Sequence, residues 1–431
     1  MNFEATPEEI LSTALRLASD TEGVCILDSC GVGRPGLGRL IAGLEPVKTV
    51  QYFQYEDDLL GSIEQLVRST GFAAVFTLSY DLGREILKIG GRTSEREPLA
   101  FVSLFDSLLV HDYATGKSRL AGEPRKLGST KDLVRRHSAP LRPAQPSSAQ
   151  AVSNFTKDAY ITAIEQIVEE IRKGNTYQTN LTQQITVELP TGMSAADVFL
   201  RLRRDHPAPF AAFIQRGDST VVSASPERLV RVENGAISAS PIKGTSRRGG
   251  DPVEDDNLRR RLAESEKDRA ENTMIVDLLR NDLGRICEYG SVRVTDLCSI
   301  EEHPTLFHMV STIEGKLRPE IGFGDMLRSV FPCGSITGAP KISTMKIIDR
   351  IETLPRGLSM GSIGISIPDG FAGIGPFTDL NVAIRTMVVT GKKAVFNVGG
   401  GIVIDSDPEK EYDESLLKAR SLLTALGAKL K

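Results

Sequence analysis

The stretch TVVSASPERLVRVENGAISASPIKGT, residues 220–245, restricts the fold more than any other part of the chain. It is β-type sequence broken only by short turn residues, which leaves no room for a crossover helix. Consecutive strands joined this way pair as antiparallel hairpins, because parallel neighbours need a connection of a dozen residues or more. KAVFNVGGGIVID has the same character, as do VCILDS, AAVFTLSYDLG and LAFVSLFDSLLVHDY in the first third. Helical spacing is found elsewhere: Tyr160, Ile164, Ile167 and Ile171 line a helix over 156–173, stopped by Gly174-Asn175. Further helices are expected at 265–285, 339–352 and 408–426. Hairpins mixed with helices, without strict βαβ alternation, predict an α+β fold on antiparallel sheets.

One composition shift divides the chain. SAPLRPAQPSSAQ, residues 138–150, is Pro/Ser/Ala/Gln-rich and reads as a linker between a β-rich region, 1–137, and a larger domain, 151–431. The 431 residues carry a formal charge of −4, so no nucleic-acid or anionic-membrane partner is expected. No apolar run reaches the roughly 18–20 residues of a membrane span. The acidic, amphipathic first twenty residues read as a helix rather than a signal peptide. Cys25, Cys30, Cys287, Cys298 and Cys333 are scattered, with no CxxC pair, which fits a reduced, cytoplasmic protein.

Acidic residues in unexpected places carry the chemical argument. In SEKDRAENTMIVDLLRNDLG, Glu271 stands in line with Ile275 and Leu278, and Asp268 precedes it by three. A carboxylate on an apolar stripe needs an ion-pair partner or a cation. GGGIVIDSDPEKEYDESLLKA runs from three glycines into an acidic helix start, where Asp405 or Ser406 can cap. There Glu411, Glu414 and Lys418 share one face, with Tyr412, Leu416, Ala419 and Leu423 on another. Alone, this is a solvated face with a Glu414–Lys418 salt bridge. With Glu271 it forms an oxygen-rich set of the kind Mg²⁺ takes, one or two carboxylates completed by water and substrate. Lys243 in PIKGT is either a solvated strand end or a desolvated amine able to act as nucleophile or base, and Glu227 in SPERL could pair with it as an acid. GSITGAPK offers backbone N–H groups, a hydroxyl and Lys341 as an anion pocket. His308 is an ordinary core histidine or a site residue, whereas Arg385, within the aliphatic strand NVAIRTM, has to meet an anion.

NTYQTNLTQ, SASPERLV, PIKGT, AENTMIVDLLRNDLGR, LFHMVST, GSITGAPK, NVAIRT and GGGIVIDSDPEKEYDE resemble, in order, the motifs of the chorismate-utilising enzymes. That family includes anthranilate synthase component I, aminodeoxychorismate synthase component I, and the isochorismate and salicylate synthases. The resemblance covers about residues 155–425. It implies a large antiparallel β-sandwich with helices packed outside, which the first 137 residues help to complete. It implies Mg²⁺ held by Glu271 and Glu414, with Glu411 and Asp268 in or near its outer shell. Arg385 and the backbone near Gly401 would hold the carboxylates of chorismate, Thr337 and Lys418 would assist, and His308 would line the ring. PIKGT is similar to the aminodeoxychorismate branch, where anthranilate synthases typically carry PIAGT. Water-adding members usually place a lysine at the position of Asn180. The implied reaction has Glu227 protonate the C4 hydroxyl, Lys243 add at C2, and ammonia then replace the lysine by attack at C4, towards 4-aminobenzoate and folate.

The pattern departs from the family at Ser246-Arg247-Arg248, which lacks a proline, and at 366–381, which is longer than usual. No glutaminase nucleophile elbow or Cys/His/Glu triad is recognisable, so ammonia is expected from a separate glutamine amidotransferase chain. The rival expectations are anthranilate synthesis, ammonia-independent isochorismate or salicylate synthesis, and a non-catalytic chorismate-binding subunit.

Overall fold

The computed structural model describes the chain apart from residues 1, 33–37, 57, 69, 146–147, 303–305 and 431. Two large sheets form its centre, one of thirteen and one of ten strands among the described residues. Pairing is antiparallel except where Ala428–Leu430 joins Ala149–Ser153 in parallel. The larger sheet runs through Lys117–Gly122, Ser107–Asp112, Arg39–Gly43 and Cys25–Asp28, then Phe210–Arg216, Ser219–Ser225, Thr386–Thr390, Lys393–Ile402 and Gln178–Glu188. The smaller begins at Ile242–Arg247 and Leu306–Lys316 and ends at Ala73–Leu78, Ala100–Phe105 and Lys48–Tyr52. Both sheets therefore mix strands from 1–137 with strands from 151–431. Between those regions, Pro146 and Ser147 of the expected linker lie outside the described residues.

The sheets face each other across a core that draws Cys25, Ile41, Ile214 and Val221 from one and Val75, Phe101, Ile363 and Ile365 from the other. Alternation along each strand sends the remaining side chains outward, where helices cover them. Pro7–Leu17, Ala195–Asp205 and Pro408–Leu426 cover the larger sheet. Leu59–Arg68, Glu266–Gly284 and Phe323–Val330 cover the smaller. This is the expected sandwich with helices outside.

Helix ends follow local chemistry. The first helix has a capping box between Thr6 and Glu9, with Pro7 at its first position. Lys157–Arg172 stops before Gly174, which takes φ of 78°. Pro408–Leu426 is capped by Asp407, not by Asp405 or Ser406. Its buried residues are Glu411, Ser415, Ala419, Leu422, Ala425 and Leu426, so of the face through Tyr412, Leu416, Ala419 and Leu423 only Ala419 is fully buried and the other three are half-buried. The long 366–381 connection folds onto the core, where Phe371 and Ile374 pack between the sheets.

Candidate active site

Glu227 lies between Ser219–Ser225 and Arg228–Glu233 and is 4% exposed. Pro226 cannot continue a ladder, and the turn is held where Ser225 Oγ donates to Val382 O and Val382 N donates to Glu227 O. The carboxylate accepts a hydrogen bond from Ser335 Oγ at 2.7 Å and another from the Ile242 backbone. Burial pushes its pKa up to about 7, against the opposing pull of that hydroxyl and of the nearby Lys243 ammonium. A carboxyl in this state carries a transferable proton at neutral pH.

Lys243 sits at a register irregularity of strand Ile242–Arg247, between Ile242 and Thr245. Gly244 takes φ of 83°, and a Cβ there would press on the Asp268 carboxyl at 3.0 Å. A bulge of this kind re-aims a side chain out of the ladder. Lys243 Nζ lies 4.0 Å from Glu271 Oε2, each side chain 15% exposed. Glu271 is on Glu266–Gly284, whose Ile275 and Leu279 face the core, so it sits in the desolvated setting its spacing implied. The amine thus lies among carboxylates, with Glu227, Glu271 and Glu414 all within its electrostatic reach.

Glu411 is buried, accepts from Ser406 Oγ at 2.8 Å, and shares the Lys267 ammonium with Glu271 at 3.6 and 3.9 Å. Glu414 pairs with Lys418 at 2.8 Å, and Lys418 also donates to Gly399 O at 3.1 Å. Lys418 therefore ties the helix to the glycine strand. A Cβ at Gly400 would fall 3.4 to 3.8 Å from Glu411, Lys418 and Glu414, so this strand closes the cluster from one side. Among the described residues no group of three or more His, Cys, Asp or Glu is close enough to hold a metal. Lys267 draws Glu271 and Glu411 toward one positive charge, whereas Glu414, the other expected Mg²⁺ ligand, is paired with Lys418; hard carboxylate oxygens of this kind are the donor type Mg²⁺ takes, one or two at a time.

Across the larger sheet, Asn180 pairs with Gly401, and Asn180 N donates to Thr337 O at 2.8 Å. Thr337 is fully buried, its Oγ1 bonded to Cys333 O at 2.8 Å. Gln178, on the same strand as Asn180, was not singled out from the sequence. Among the described residues, neither of its amide atoms nor Asn180 Nδ2, all buried, has a hydrogen-bond partner. Such atoms are costly unless something polar meets them. A Cβ at 401 would overlap Gln178 Nε2, so any other residue there has to push the Gln178 amide aside. The signal for Gln178 was the polar run QTNLTQQ inside a strand buried along most of its length. His308 is buried and exchanges a hydrogen bond with Thr245 Oγ1 at 2.9 Å, one strand from Lys243.

Two expectations change. Arg385 is not inside a strand: it precedes Thr386–Thr390 in a left-handed conformation, φ 49°. Burial lowers its guanidinium pKa, and among the described residues its side chain has no hydrogen-bond or ion-pair partner, which keeps it available to an anion. Lys341 is not free for an anion pocket, because its Nζ bonds Asp282 Oδ2 at 2.8 Å and Ser329 O at 3.3 Å. The pair borders a groove of about 860 Å³ along the outer side of Glu266–Gly284, which none of residues 227, 243, 271 and 414 lines.

The family model of chorismate binding enzymes matches residues 28–424. The chain is 32% identical to aminodeoxychorismate synthase component 1 of Bacillus subtilis (strain 168), across 95% of this chain and 93% of that one. It is 45% identical over 269 residues to a probable chloroplastic aminodeoxychorismate synthase of Oryza sativa subsp. japonica, covering 62% of this chain but spanning only 29% of that protein's length. The crystal structure of anthranilate synthase component I from Streptococcus pneumoniae TIGR4 superposes with a TM-score of 0.78 at 28% identity, over 89% of this chain and 92% of that one.

Proposed function

The chain belongs to the chorismate binding enzymes, and we propose that it is the component of an aminodeoxychorismate synthase that aminates chorismate at C4. One observation carries the choice within the family: Lys243, the residue that PIAGT-type relatives lack, is held 4.0 Å from Glu271 and within electrostatic reach of the buried Glu227.

In this reading Arg385 and the backbone near Gly401 receive the carboxylates of chorismate, with His308 and Thr337 along the ring. Gln178 and Asn180 offer their unpartnered amide groups to the same pocket. Glu227 delivers its proton to the C4 hydroxyl, which leaves as water. Lys243, having given up a proton, forms a bond from Nζ to C2 as the ring double bonds shift. Ammonia then bonds at C4, the double bonds shift back, and the C2–N bond breaks to release Lys243. Chorismate and ammonia thus become 4-amino-4-deoxychorismate and water. A covalent nucleophile divides one difficult displacement into two easier ones. Mg²⁺, held by Glu271 and Glu414 with Glu411 and Asp268 nearby, would supply positive charge to the ring carboxylate and favour electron flow through the ring.

Ammonia would come from a glutamine amidotransferase on a separate chain, with ammonium salts replacing it in vitro, and the product would serve 4-aminobenzoate and folate synthesis in the cytoplasm. No helix among the described residues is long and apolar enough to cross a membrane. The deciding experiment is mass identification of the product made from chorismate, Mg²⁺ and an ammonium salt. A non-aromatic amino product that retains its enolpyruvyl group supports the reading. Anthranilate with pyruvate, or turnover without ammonium, overturns it.

A further inference from the structure

We propose that the buried pair Arg356–Glu352 is the positioning device of the chorismate pocket, acting on the two segments that carry Asn180 and Thr337. Glu352 caps the end of helix Lys341–Ile351, and Arg356 follows four residues later. Both are buried. The guanidinium grips the Glu352 carboxylate with two bonds, Nε to Oε2 at 2.9 Å and Nη2 to Oε1 at 2.7 Å. Its other contacts are backbone carbonyls: Nη1 donates to Ile336 O at 2.8 Å and Nη2 to Asn180 O at 2.7 Å. Glu352 Oε1 also accepts from Thr182 N at 2.7 Å and from Thr182 Oγ1 at 2.9 Å. One ion pair therefore holds strand Gln178–Glu188 at residues 180 and 182 and the turn just before Thr337.

Those segments are far apart in sequence and meet edge to edge, through Asn180 N to Thr337 O and Tyr177 N to Ala339 O, and the ion pair adds a clamp on the side of Ile336 and Thr182. A planar fork fixes the spacing of its acceptors in a way a flexible ammonium cannot. From the far side the guanidinium rests on the Tyr80 ring at 4.5 Å. Tyr80 N donates to Gly357 O at 2.7 Å, and Gly357 N to Asp81 Oδ2 at 3.3 Å. In this way SYDLG of the N-terminal region braces the pocket without lining it.

Stability alone does not account for the arrangement. A buried ion pair roughly balances its own desolvation, and replacing both partners by apolar residues is often neutral or stabilising. What apolar replacements cannot supply is donors to the two carbonyls. A displacement of order 1 Å in groups that orient a substrate lowers turnover by roughly 10²-fold.

The proposal rests on chorismate being the substrate, not on which product forms. The test compares Arg356→Lys, which keeps the ion pair and loses the fork, with the double variant Arg356→Met/Glu352→Met, which removes both charges. Chorismate loss is followed with Mg²⁺ and ammonium, and kcat and KM are referred to the folded fraction measured by circular dichroism. We expect cooperative unfolding in both, with kcat/KM for chorismate per folded molecule reduced roughly 10- to 100-fold. Wild-type kcat/KM per folded molecule in either variant overturns the proposal, since a merely structural pair would change only the folded fraction. If the double variant does not fold, the lysine variant decides. A wild-type chain that consumes chorismate to give anthranilate would overturn the reading of amination at C4 and leave this comparison intact.

Discussion

Replacing Ser335 by alanine tests whether Glu227 is the acid that discharges the C4 hydroxyl. The hydroxyl donates to Glu227 Oε1 at 2.7 Å, and this bond favours the ionised carboxylate, opposing the burial that raises its pKa to about 7. A hydrogen bond to a charged group contributes about 1.5–3 kcal/mol. One pH unit corresponds to about 1.4 kcal/mol. Removing the donor favours the protonated acid, so the alkaline limb of kcat/KM should move upward by roughly one to two pH units, toward the lower figure if water replaces the hydroxyl. Rates of chorismate loss from pH 5.5 to 9.5 would be measured on both proteins, with total ammonium adjusted to hold free NH₃ constant. Coincident limbs, or a downward shift, would refute the assignment. The same carboxyl makes a stability prediction. Its folded pKa of about 7 exceeds the reference 4.5, so its contribution to stability is complete below about 4.5 and is lost as pH rises through 7. Glu227→Gln should therefore stabilise the fold at pH 8 by up to about 3 kcal/mol relative to wild type, and not at pH 4, in urea unfolding, while its turnover falls roughly 10²- to 10⁴-fold.

Three further outcomes are expected. Lys243→Ala should lower amination by at least about 10²-fold, about 2.7 kcal/mol of barrier, while calorimetry still detects chorismate binding; unchanged turnover would remove it from the nucleophile role. Glu271→Gln and Glu414→Gln should each abolish Mg²⁺ stimulation and weaken Mg²⁺ binding by calorimetry, and a full Mg²⁺-stimulated rate in either would show the ligand set to be wrong. Gly401→Ala should cost about 1–3 kcal/mol through overlap with Gln178 Nε2 and raise KM for chorismate; an unaltered melting curve and KM would count against the close approach of that strand.

Much of the fold was legible because its signals are local. Turn residues between β-runs dictated hairpins, and 3.6-residue spacing with caps marked helices Lys157–Arg172 and Glu266–Gly284 to within a residue or two. Glu271 could be read as desolvated because its stripe is apolar. On the last long helix the same logic was less exact. Ala419 of the expected apolar face is buried and Leu423 packs against the core, but Leu422, Ala425 and Leu426 fill the inward face beside them, and in the first turns Glu411 and Ser415 are turned inward.

What the sequence alone determined was the class of fold and the family resemblance, and it singled out Lys243, Glu227, Glu271 and Glu414 as candidates. Partnership was decided only in three dimensions. Lys341 looked like an anion ligand until Asp282, 59 residues away, proved to hold it, and Gln178 looked like any strand residue until its amide stood buried without a partner. The physical reason is one of range. Periodicity and capping act over a few residues, whereas a side chain's charge, hydration and reach depend on which distant strand or helix packs against it.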